Sequence, residues 1–385
     1  METEKKIKVL ITGAKGFVGK NLVATLEYAE DIEFFAYDID SEKELLEKYT
    51  KECDFVVHLA GINRPQNPEE FMTGNYGFTG ELLGMLEKAG NKCPLLITSS
   101  TQAALDNPYG KSKLAAEDII FEYGDRTGAR VFVYRLPNVF GKWCRPNYNS
   151  AVATFCHNIA HGLPITVTDP EICLTLVYID DVVAEIVRVI RESRDPNAPM
   201  TLEHRGIREV PVTHKATLGR ITQLLYGFKE SRKTLQVPDV SDSFEKKLYS
   251  TYLSYIPDNE YVYDLNMHCD HRGSFTEIIR TPERGQFSVN ISKPGITKGE
   301  HWHHTKNEKF LVVSGKGVIR LRNVQNGEVI EFFVSGEKLQ VVDIPTGYTH
   351  NIENLGDTDM VTFMWANEVF NPDVPDTYWL PVSEK

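Results

Sequence analysis

Short runs of consecutive apolar residues alternate with longer helical segments through the first half of the chain. Residues 8–12, 33–37 and 54–61 are such runs, each long enough for one buried strand. Helices are predicted to begin near Lys20 and to cover residues 109–124, because no helix-breaking residue follows Leu114 until Gly124. Buried strands that alternate with helices are typical of a Rossmann-type α/β fold. We therefore predict a doubly wound parallel sheet.

The pattern changes from about residue 261 onward. Apolar runs become short and are separated by Gly, Pro and Asn-Gly turns, and Asn326-Gly327 is a strong hairpin signal. Many short strands at this spacing are typical of an all-β sandwich or barrel. The predicted strands cover residues 286–291, 310–313, 317–321, 329–334, 339–344 and 360–365.

A polar connector separates these two patterns. Residues 194–216 contain several prolines and no long apolar period, which predicts a loop-rich insertion. Helices are predicted over residues 218–228 and 240–255, and Pro257 ends the second one. The sequence therefore predicts two domains, residues 1–252 and residues 253–385.

Composition narrows the class of protein. A length of 385 residues favours two domains. The formal net charge of −12 argues against non-specific binding to nucleic acid or to anionic membranes, and no apolar run approaches the length of a membrane span. The scattered cysteines favour reduced thiols, and the charged residues before the first strand indicate no signal peptide. We therefore expect a cytoplasmic protein.

A glycine-rich turn follows the first strand. Its glycines permit a tight turn and a close approach of the backbone to a pyrophosphate at the helix N-terminus. Asp38 ends the next strand about 20 residues later, where an acid binds the ribose diol of NAD. The third strand ends in small residues suited to lie under a dinucleotide. The predicted cofactor site therefore contains Gly13, Lys15, Gly16, Phe17, Val18, Gly19, Asp38, Leu59 and Ala60.

Asp38 leaves the choice between NADH and NADPH open. A carboxylate here favours NADH because it repels a 2′-phosphate, and Asp40 adds a second negative charge. Lys15 could reach the phosphate of NADPH and offset this repulsion. The alternatives are that Asp38 is a turn residue and that Lys15 is a solvated charge.

A Tyr–Lys pair lies on the predicted helix 109–124. Tyr109 and Lys113 are four residues apart and therefore point to the same side. Because an ammonium beside a phenol favours the phenolate, we expect Lys113 to lower the pKa of Tyr109. Such a Tyr can transfer a proton to a carbonyl oxygen. A hydroxyl from the preceding stretch 98–101 could hydrogen-bond the same oxygen.

The first half resembles the extended short-chain dehydrogenase/reductases that act on nucleotide sugars. The resemblance implies that Tyr109 is the acid/base, that Lys113 contacts the nicotinamide ribose, and that Ser100 or Thr101 contacts the substrate oxygen. The segment before Tyr109 is short for the family, which leaves Ser99, Ser100 and Thr101 unranked. Besides the turn and the Tyr–Lys pair, the matching segments are 58–61, 75–79, 135–141 and 178–182.

The same resemblance implies a cofactor contact at Asn75 and a substrate contact at Asn138. Structural alternatives stand beside these roles. Asn75 could be a helix cap, and this is the interpretation we favour for Asp181. Trp143 and Phe155 are interpreted as packing residues.

Histidines and a carboxylate recur at a specific spacing in the second half. His301 and His303 face the same side of a predicted strand, whereas His304 faces the other. With Glu308 and His350 they form a ligand set that suits a zinc-like or ferrous-like ion. This spacing resembles both sequence motifs of the cupins. No role is assigned to the two other histidines of this region, His268 and His271.

A second resemblance competes for His301. Residues 270–277 and 298–301, with Gln286 and Asn290, are similar to the cupin-fold epimerases of nucleotide-linked 4-keto-6-deoxyhexoses. In that family the matching His removes the proton next to the ketone without a metal. A metal ligand cannot also be a free base, and His303, Glu308 and His350 favour the metal. The base is then a different, unidentified residue.

Both halves in this order resemble the two-domain enzymes of capsular polysaccharide precursor synthesis. The resemblance implies C3 epimerisation of a UDP-4-keto-6-deoxy-N-acetylhexosamine in the cupin and NADPH-dependent reduction at C4 in the first domain. It also implies a zinc site and a homodimer. One alternative is a plain 4-ketoreductase whose cupin is structural or serves dimerisation. A second is a sugar-nucleotide sensor, which the intact Tyr109 and Lys113 oppose.

Overall fold

The computed structural model describes residues 5–63, 67, 69–194 and 206–383. The chain divides into two units, one built from residues 1–226 and 240–257 and the other from residues 227–239 and 258–385. The domain limits 1–252 and 253–385 remain a prediction. In the structure, residues 253–257 group with the first unit and residues 227–239 with the second.

The first unit contains a parallel sheet with the strand order β2-β1-β3-β4-β5-β8. A smaller sheet has the order β6-β7-β9. The doubly wound parallel sheet predicted from the sequence is confirmed. The strands are β1 (Ile7–Thr12), β2 (Ile32–Tyr37), β3 (Phe55–His58), β4 (Leu95–Ser100), β5 (Val131–Leu136), β6 (Asn138–Phe140), β7 (Cys173–Tyr178), β8 (Ile207–Arg208) and β9 (His214–Thr217).

Apolar residues on both faces of the sheet explain why its strands are continuous apolar runs. Val9 and Ile11 of β1 belong to one core cluster with α1 and α7, whereas Leu10 belongs to another with α4 and α5. The helices of the described chain are α1 (Phe17–Leu26), α2 (Lys43–Glu52), α3 (Glu69–Phe71), α4 (Phe78–Ala89), α5 (Pro108–Thr127), α6 (Ala151–Ala160), α7 (Ile179–Glu192), α8 (Leu218–Thr234) and α9 (Ser243–Leu253).

The glycine-rich turn brings two backbone segments into direct contact. Gly13 has φ +73°, and a Cβ atom on it would lie 2.7 Å from the amide nitrogen of Ala60. A Cβ atom on Gly19 would lie 2.2 Å from the carbonyl oxygen of Gly13. Only glycine fits both positions. The helix after the turn begins at Phe17, three residues before the predicted start at Lys20, because the turn itself is short.

The helix that carries Tyr109 is longer than predicted. The side chain of Asn107 caps its first turn by accepting from the Gly110 amide at 2.8 Å, with Pro108 as the first helical residue. The helix passes through Gly124 and ends at Gly128, which has φ +77°. Gly124 does not end the helix. Its missing side chain allows close packing, since a Cβ atom there would lie 3.1 Å from Val131.

Part of the predicted loop 194–216 forms strands. Residues 195–205 lie outside the described residues. In the remainder, β8 pairs in parallel with β5, and β9 pairs antiparallel with β7. The described part of this loop-rich insertion thus contains one short strand, residues 207–208, and the start of another, residues 214–217, which gain their order from pairing with other strands.

The second unit contains two antiparallel sheets around an apolar core that includes Phe310, Ile319 and Ile352. The sheet orders are β10-β11-β12-β19-β14-β17 and β16-β15-β18-β13-β20. The predicted all-β fold is confirmed. Its strands are β10 (Met267–Asp270), β11 (Gly273–Thr281), β12 (Gly285–Ser292), β13 (Thr297–Trp302), β14 (Glu308–Ser314), β15 (Lys316–Asn323), β16 (Val329–Ser335), β17 (Val341–Ile344), β18 (Tyr348–Asn354), β19 (Met360–Ala366) and β20 (Tyr378–Trp379).

A buried hydrogen-bond chain begins at the end of β1. The Thr79 hydroxyl donates to the carbonyl oxygen of Asn75 at 2.5 Å, so its oxygen accepts from His58 Nε2 at 2.8 Å. His58 Nδ1 then accepts from the Thr12 hydroxyl at 2.7 Å. Burial, with a contribution from the Lys113 charge, lowers the pKa of His58 to about 3. His58 is therefore a neutral link between β1, β3 and α4.

The buried hydrogen-bond chain continues from Asn75 to the helix that carries Tyr109. The Asn75 side chain accepts from the Ile62 amide at 2.9 Å and donates to the Ser112 hydroxyl at 3.0 Å. Ser112 in turn donates to the carbonyl oxygen of Tyr109 at 2.8 Å. Asn75 is thus a buried connector and does not form a side-chain helix cap. These hydrogen bonds connect the end of β1, just before the glycine-rich turn, with the first turn of α5.

We predict that His58→Phe lowers the free energy of unfolding by about 2–4 kcal/mol, because two buried hydroxyls lose their ring partner. Chemical denaturation measures this change. His161→Phe, which alters an exposed ring, is the control and should change stability by less than about 0.5 kcal/mol.

The pH dependence provides a second test. His58 has a lowered pKa in the folded protein, so the unfolded chain takes up the extra proton as the pH falls below about 6.5. The wild type therefore loses this stabilisation toward low pH. The difference in free energy of unfolding between the wild type and His58→Phe should become smaller. An advantage that stays constant between pH values of roughly 7 and 5 would contradict a neutral buried His58.

Candidate active sites

A cleft of about 560 Å³ in the first unit brings most of the predicted cofactor and catalytic residues together. Asp38, Ala60 and Asn75 are outside its wall: Ala60 supports Gly13, and Asn75 belongs to the buried chain described above. The predicted residues in the wall are Gly13, Lys15, Gly16, Phe17, Val18, Gly19, Leu59, Ser100, Tyr109, Lys113 and Asn138.

Tyr109 lies beside Ser100 in this cleft. Burial raises the pKa of Tyr109, and a hydrogen bond with the Ser100 side chain partly opposes the rise. The expectation that Lys113 lowers the pKa of Tyr109 is not met, because burial and the Ser100 hydrogen bond, and not the Lys113 charge, set this pKa. Ser100 also caps a short turn by accepting from the Gln102 amide at 3.2 Å, which fixes its hydroxyl near the phenol.

Lys113 is buried one helical turn after Tyr109. Burial lowers the pKa of its ammonium to about 8, although the Glu117 carboxylate opposes this change. Its Nζ donates to the carbonyl oxygen of Thr98 at 3.3 Å. A desolvated ammonium at the base of a cleft strongly favours a nearby negative charge, such as a phenolate.

The structure distinguishes between the neighbouring hydroxyls. Glu117 is buried and forms a two-point ion pair with Arg135, at 3.0 and 2.7 Å. The Ser99 hydroxyl donates to the same carboxylate. Ser99 therefore completes an internal ion pair, whereas Ser100 hydrogen-bonds Tyr109. This geometry favours Ser100 over Ser99 as the residue that contacts the substrate oxygen, and Thr101 also lines the cleft.

Asp38 is fixed by the glycine-rich turn. Its carboxylate accepts from the Lys15 amide at 2.7 Å and from the Ile39 amide at 2.8 Å. The Lys15 ammonium forms an ion pair with Asp40. Two carboxylates and one paired ammonium thus lie at the end of β2. This arrangement favours a neutral diol over a phosphate.

The cleft also contains side chains that had not been assigned to a site. Arg145 and Tyr148 line it, and the guanidinium of Arg145 lies 5.1 Å from the centre of the Tyr148 ring. Trp143 is also in the wall, with φ +68° and 51% of its surface exposed, so its interpretation as a packing residue is wrong. Phe155 is buried as predicted. In the sequence, an Arg and several aromatic residues in one loop after Asn138 were the signal that this loop lines a binding site.

Asp180 and Asp181, at the start of α7, form ion pairs with lysines that are distant in sequence. Asp181 contacts Lys247 at 2.7 Å, and Asp180 contacts Lys142 at 2.6 Å, next to Trp143. Tyr178 occupies the N-cap position of α7. The prediction that Asp181 is a helix cap is wrong, because its carboxylate reaches a lysine that is distant in sequence.

The second unit brings together His301, His303, Glu308 and His350. One ligand atom from each lies within 4.8 Å of the others. His350 Nε2 is 3.1 Å, and His303 Nε2 is 3.5 Å, from the same Glu308 oxygen. His301 and His350 are direct partners across β13 and β18. His304 is exposed, as expected for a side chain on the opposite face.

The donor atoms of this cluster fit a divalent metal ion. His303 Nε2, His350 Nε2 and Glu308 Oε2 are buried and have no hydrogen-bond partner of acceptable geometry. Burial opposes ionisation of Glu308, but the adjacent His303 and His350 hold the pKa of its carboxyl below the usual range. Burial, and next His350, lower the pKa of His301 to about 4. Neutral imidazoles and an ionised carboxylate are the forms that bind metal.

Three members of the cluster, His301, Glu308 and His350, line a cavity of about 730 Å³. Lys298 also faces this cavity, and its Nζ donates to the Asn290 side chain and to the carbonyl oxygen of Ile291, both at 2.8 Å. Burial lowers the pKa of Lys298. His268, to which the sequence assigned no role, is in the same wall. The cavity therefore combines a metal-type cluster with basic side chains.

In the part of the chain that the structure describes, no helix combines the length and apolar character needed to cross a membrane.

Comparison with known proteins finds a matching family for each half of the chain. The NAD dependent epimerase/dehydratase family matches residues 9–202, and the Polysaccharide biosynthesis C-terminal domain matches residues 268–378. The UDP-2-acetamido-2,6-beta-L-arabino-hexul-4-ose reductase of Pseudomonas aeruginosa is 45% identical over 98% of this chain and 100% of its own length.

Solved structures agree with this assignment. The capsular polysaccharide assembling protein CapF from Staphylococcus aureus is 55% identical, with a TM-score of 0.90 over 97% of this chain and 99% of CapF. RMD from Pseudomonas aeruginosa, solved with NADPH, covers 65% of this chain at 22% identity and a TM-score of 0.50, which shows a common fold only. The chain therefore belongs to the NAD dependent epimerase/dehydratase family and carries a polysaccharide biosynthesis C-terminal domain like its close structural neighbour CapF.

Proposed function

We propose that this chain is a bifunctional nucleotide-sugar epimerase and reductase. The second unit epimerises C3 of a UDP-4-keto-6-deoxy-N-acetylhexosamine, and the first unit then reduces C4 with NADPH. The product is UDP-2-acetamido-2,6-dideoxy-L-talose, which serves capsule or O-antigen synthesis that uses N-acetyl-L-fucosamine. The observation that carries the proposal is the presence of two separate sets of chemical groups, one in each unit, in a chain similar over its whole length to a UDP-ketosugar reductase.

The reduction uses the Ser100–Tyr109–Lys113 group. A bound nicotinamide supplies the hydride that reaches C4. Ser100 and Tyr109 bind the ketone oxygen, and the Tyr109 phenol gives it the proton that completes the alcohol. The Lys113 ammonium, buried one helical turn away, stabilises the phenolate that forms when Tyr109 gives up its proton.

The epimerisation uses the cavity of the second unit. His301, His303, Glu308 and His350 would hold a divalent ion, with zinc as the proposed metal, and its charge would favour proton loss at the carbon next to the ketone. A base on this chain must remove the C3 proton, and the new proton must arrive from the opposite face. Lys298 and His268 line the same cavity and are the candidates for these transfers.

We also propose a homodimer. The strand β16 ends its sheet and exposes apolar side chains on both faces, Phe333 at 69% on one face and Phe332 at 39% on the other. An unprotected apolar edge strand is unfavourable in water and readily pairs with another chain. A second copy that covers β16 would remove this apolar surface from water.

Tyr109→Phe should reduce the rate of C4 reduction by about 10²–10⁴-fold, because the phenol supplies the proton. Deuterium exchange at C3 should continue, since it takes place in the other unit. The oxidation of NADPH and NMR of the sugar measure the two reactions separately. Tyr28→Phe, at an 88% exposed position, is the matched control. Loss of both reactions in a folded variant would show that the two activities share one site.

His350→Ala should lower zinc affinity by more than roughly 100-fold, because it removes one ligand from a buried cluster. C3 exchange should fall with it, while reduction of an already epimerised ketone persists. Elemental analysis gives the metal content. The control is His304→Ala, which removes an exposed histidine next to His303. If His350→Ala loses metal but keeps full C3 exchange, the plain ketoreductase with a structural cupin is the better description.

Asp38→Ala should raise kcat/KM for NADPH relative to NADH by about tenfold, since it removes a negative charge from the place expected for the 2′-phosphate. We expect the wild type to use both cofactors, because Asp38 and Asp40 favour NADH whereas the whole-chain similarity favours NADPH. Steady-state kinetics with each cofactor provide the ratio, and the exposed Glu42→Ala is the charge-matched control. An unchanged ratio would place Asp38 away from the adenosine ribose.

A further inference from the structure

Residues 376–382, here named the C-terminal strap, contact the segments that carry the metal-type cluster. Within the strap, β20 pairs with the end of β13, where Trp379 is the partner of His301 and Tyr378 is the partner of Trp302. The carbonyl oxygen of Leu380 accepts from the Thr349 hydroxyl, next to His350. The strap therefore touches both strands that supply histidines.

Asp376 closes the loop between β13 and β14. Its carboxylate accepts from three consecutive backbone amides, those of His304 at 2.8 Å, Thr305 at 2.7 Å and Lys306 at 2.9 Å. The Thr305 hydroxyl donates to the same carboxylate at 3.0 Å. This loop joins His303 to Glu308, so Asp376 fixes the path between two members of the cluster.

The main chain of Asp376 acts on His303 directly. His303 Nδ1 hydrogen-bonds the carbonyl oxygen of Asp376, and a carbonyl only accepts, so Nδ1 carries the hydrogen. In the neutral ring, which is the metal-binding form, the other nitrogen, Nε2, then carries no hydrogen, and it lies 3.5 Å from Glu308 Oε2. A ring hydrogen bond to a carbonyl of this kind fixes the tautomer and orientation of metal-binding histidines.

The strap also supports an unusual backbone position next to His301. Glu300 has φ +64° and forms a bulge in the pairing of β13 with β18. Its carboxylate accepts from the Asn351 side chain at 2.8 Å and from the Val382 amide at 2.6 Å, and its carbonyl accepts from the Leu380 amide at 2.9 Å. These contacts hold the conformation that turns His301 toward the cluster.

We propose that Asp376 is a positioning residue of the metal centre, which anchors the C-terminal strap and thereby presents Nε2 of His303 to the ion. The inference rests on the proposed metal site of the second unit. Asp376 itself does not bind the metal or the sugar. Its carboxylate binds backbone amides, and its carbonyl binds the far side of the His303 ring.

The test uses the full-length protein, stripped of metal and titrated with zinc in competition with a chromogenic chelator. Asp376→Ala should weaken zinc binding by about 10–100-fold, the usual effect of removing a group that orients a ligand. The visible spectrum of the cobalt-substituted protein should also change, because the ligand geometry changes. Asp376→Asn keeps one acceptor oxygen and should recover part of both properties, which a general loss of folding would not allow.

Asp373→Ala removes an exposed carboxylate three residues before Asp376, outside the strap, and this variant should bind zinc as the wild type does. Circular dichroism and the rate of C4 reduction show whether each variant is folded. If Asp376→Ala is misfolded, Asp376→Asn decides. Wild-type zinc affinity and cobalt spectrum in the folded Asp376 variant would overturn the inference. If His350→Ala also keeps its zinc, the metal site itself is wrong; if only His350→Ala loses zinc, the role of the strap is wrong.

Discussion

Burial of ionisable groups is the constraint on which both candidate sites depend. A buried charge loses its water and needs partners within the protein. In the first unit, Glu117 finds Arg135 and Ser99, while Lys113 remains buried beside Tyr109 with its pKa lowered to about 8. In the second unit, histidine nitrogens and a carboxylate oxygen face one another without acceptable hydrogen bonds. The Glu117 carboxylate finds its partners within the protein. The histidine and carboxylate cluster of the second unit is suited to a cation.

Much of the fold follows from the sequence, because apolar periodicity directly reflects burial. The strands of the parallel sheet and the more apolar strands of the second unit were predictable for this reason. The exceptions are informative. The strands β13 and β18 have the sequences TKGEHW and YTHNIEN, whose polar residues do not alternate with apolar ones. These strands contribute His301 and His350, so the residues that form the site also hide the strand pattern.

The candidate site was predictable where chemistry follows local spacing, and it was not where tertiary contacts decide. The Tyr109–Lys113 separation and the histidine spacing are local, and the structure brings both sets together. By contrast, choosing Ser100 over Ser99 depends on Glu117, which lies 18 residues after Ser99. The partner of Asp181 is 66 residues away. The rise in the pKa of Tyr109 depends on burial, which no spacing reveals.

The position of the C-terminal strap in chain order has a consequence for biosynthesis. A ribosome releases the chain from its N-terminus, so His301, His303, Glu308 and His350 all emerge before residues 376–382. Until the strap emerges, β13 lacks its neighbour β20 and the His303 ring lacks its carbonyl partner. A nascent chain can therefore carry every ligand and still lack an ordered metal centre. If the proposed site binds its metal as inferred above, capture would follow the emergence of β20, after the first unit has had time to fold.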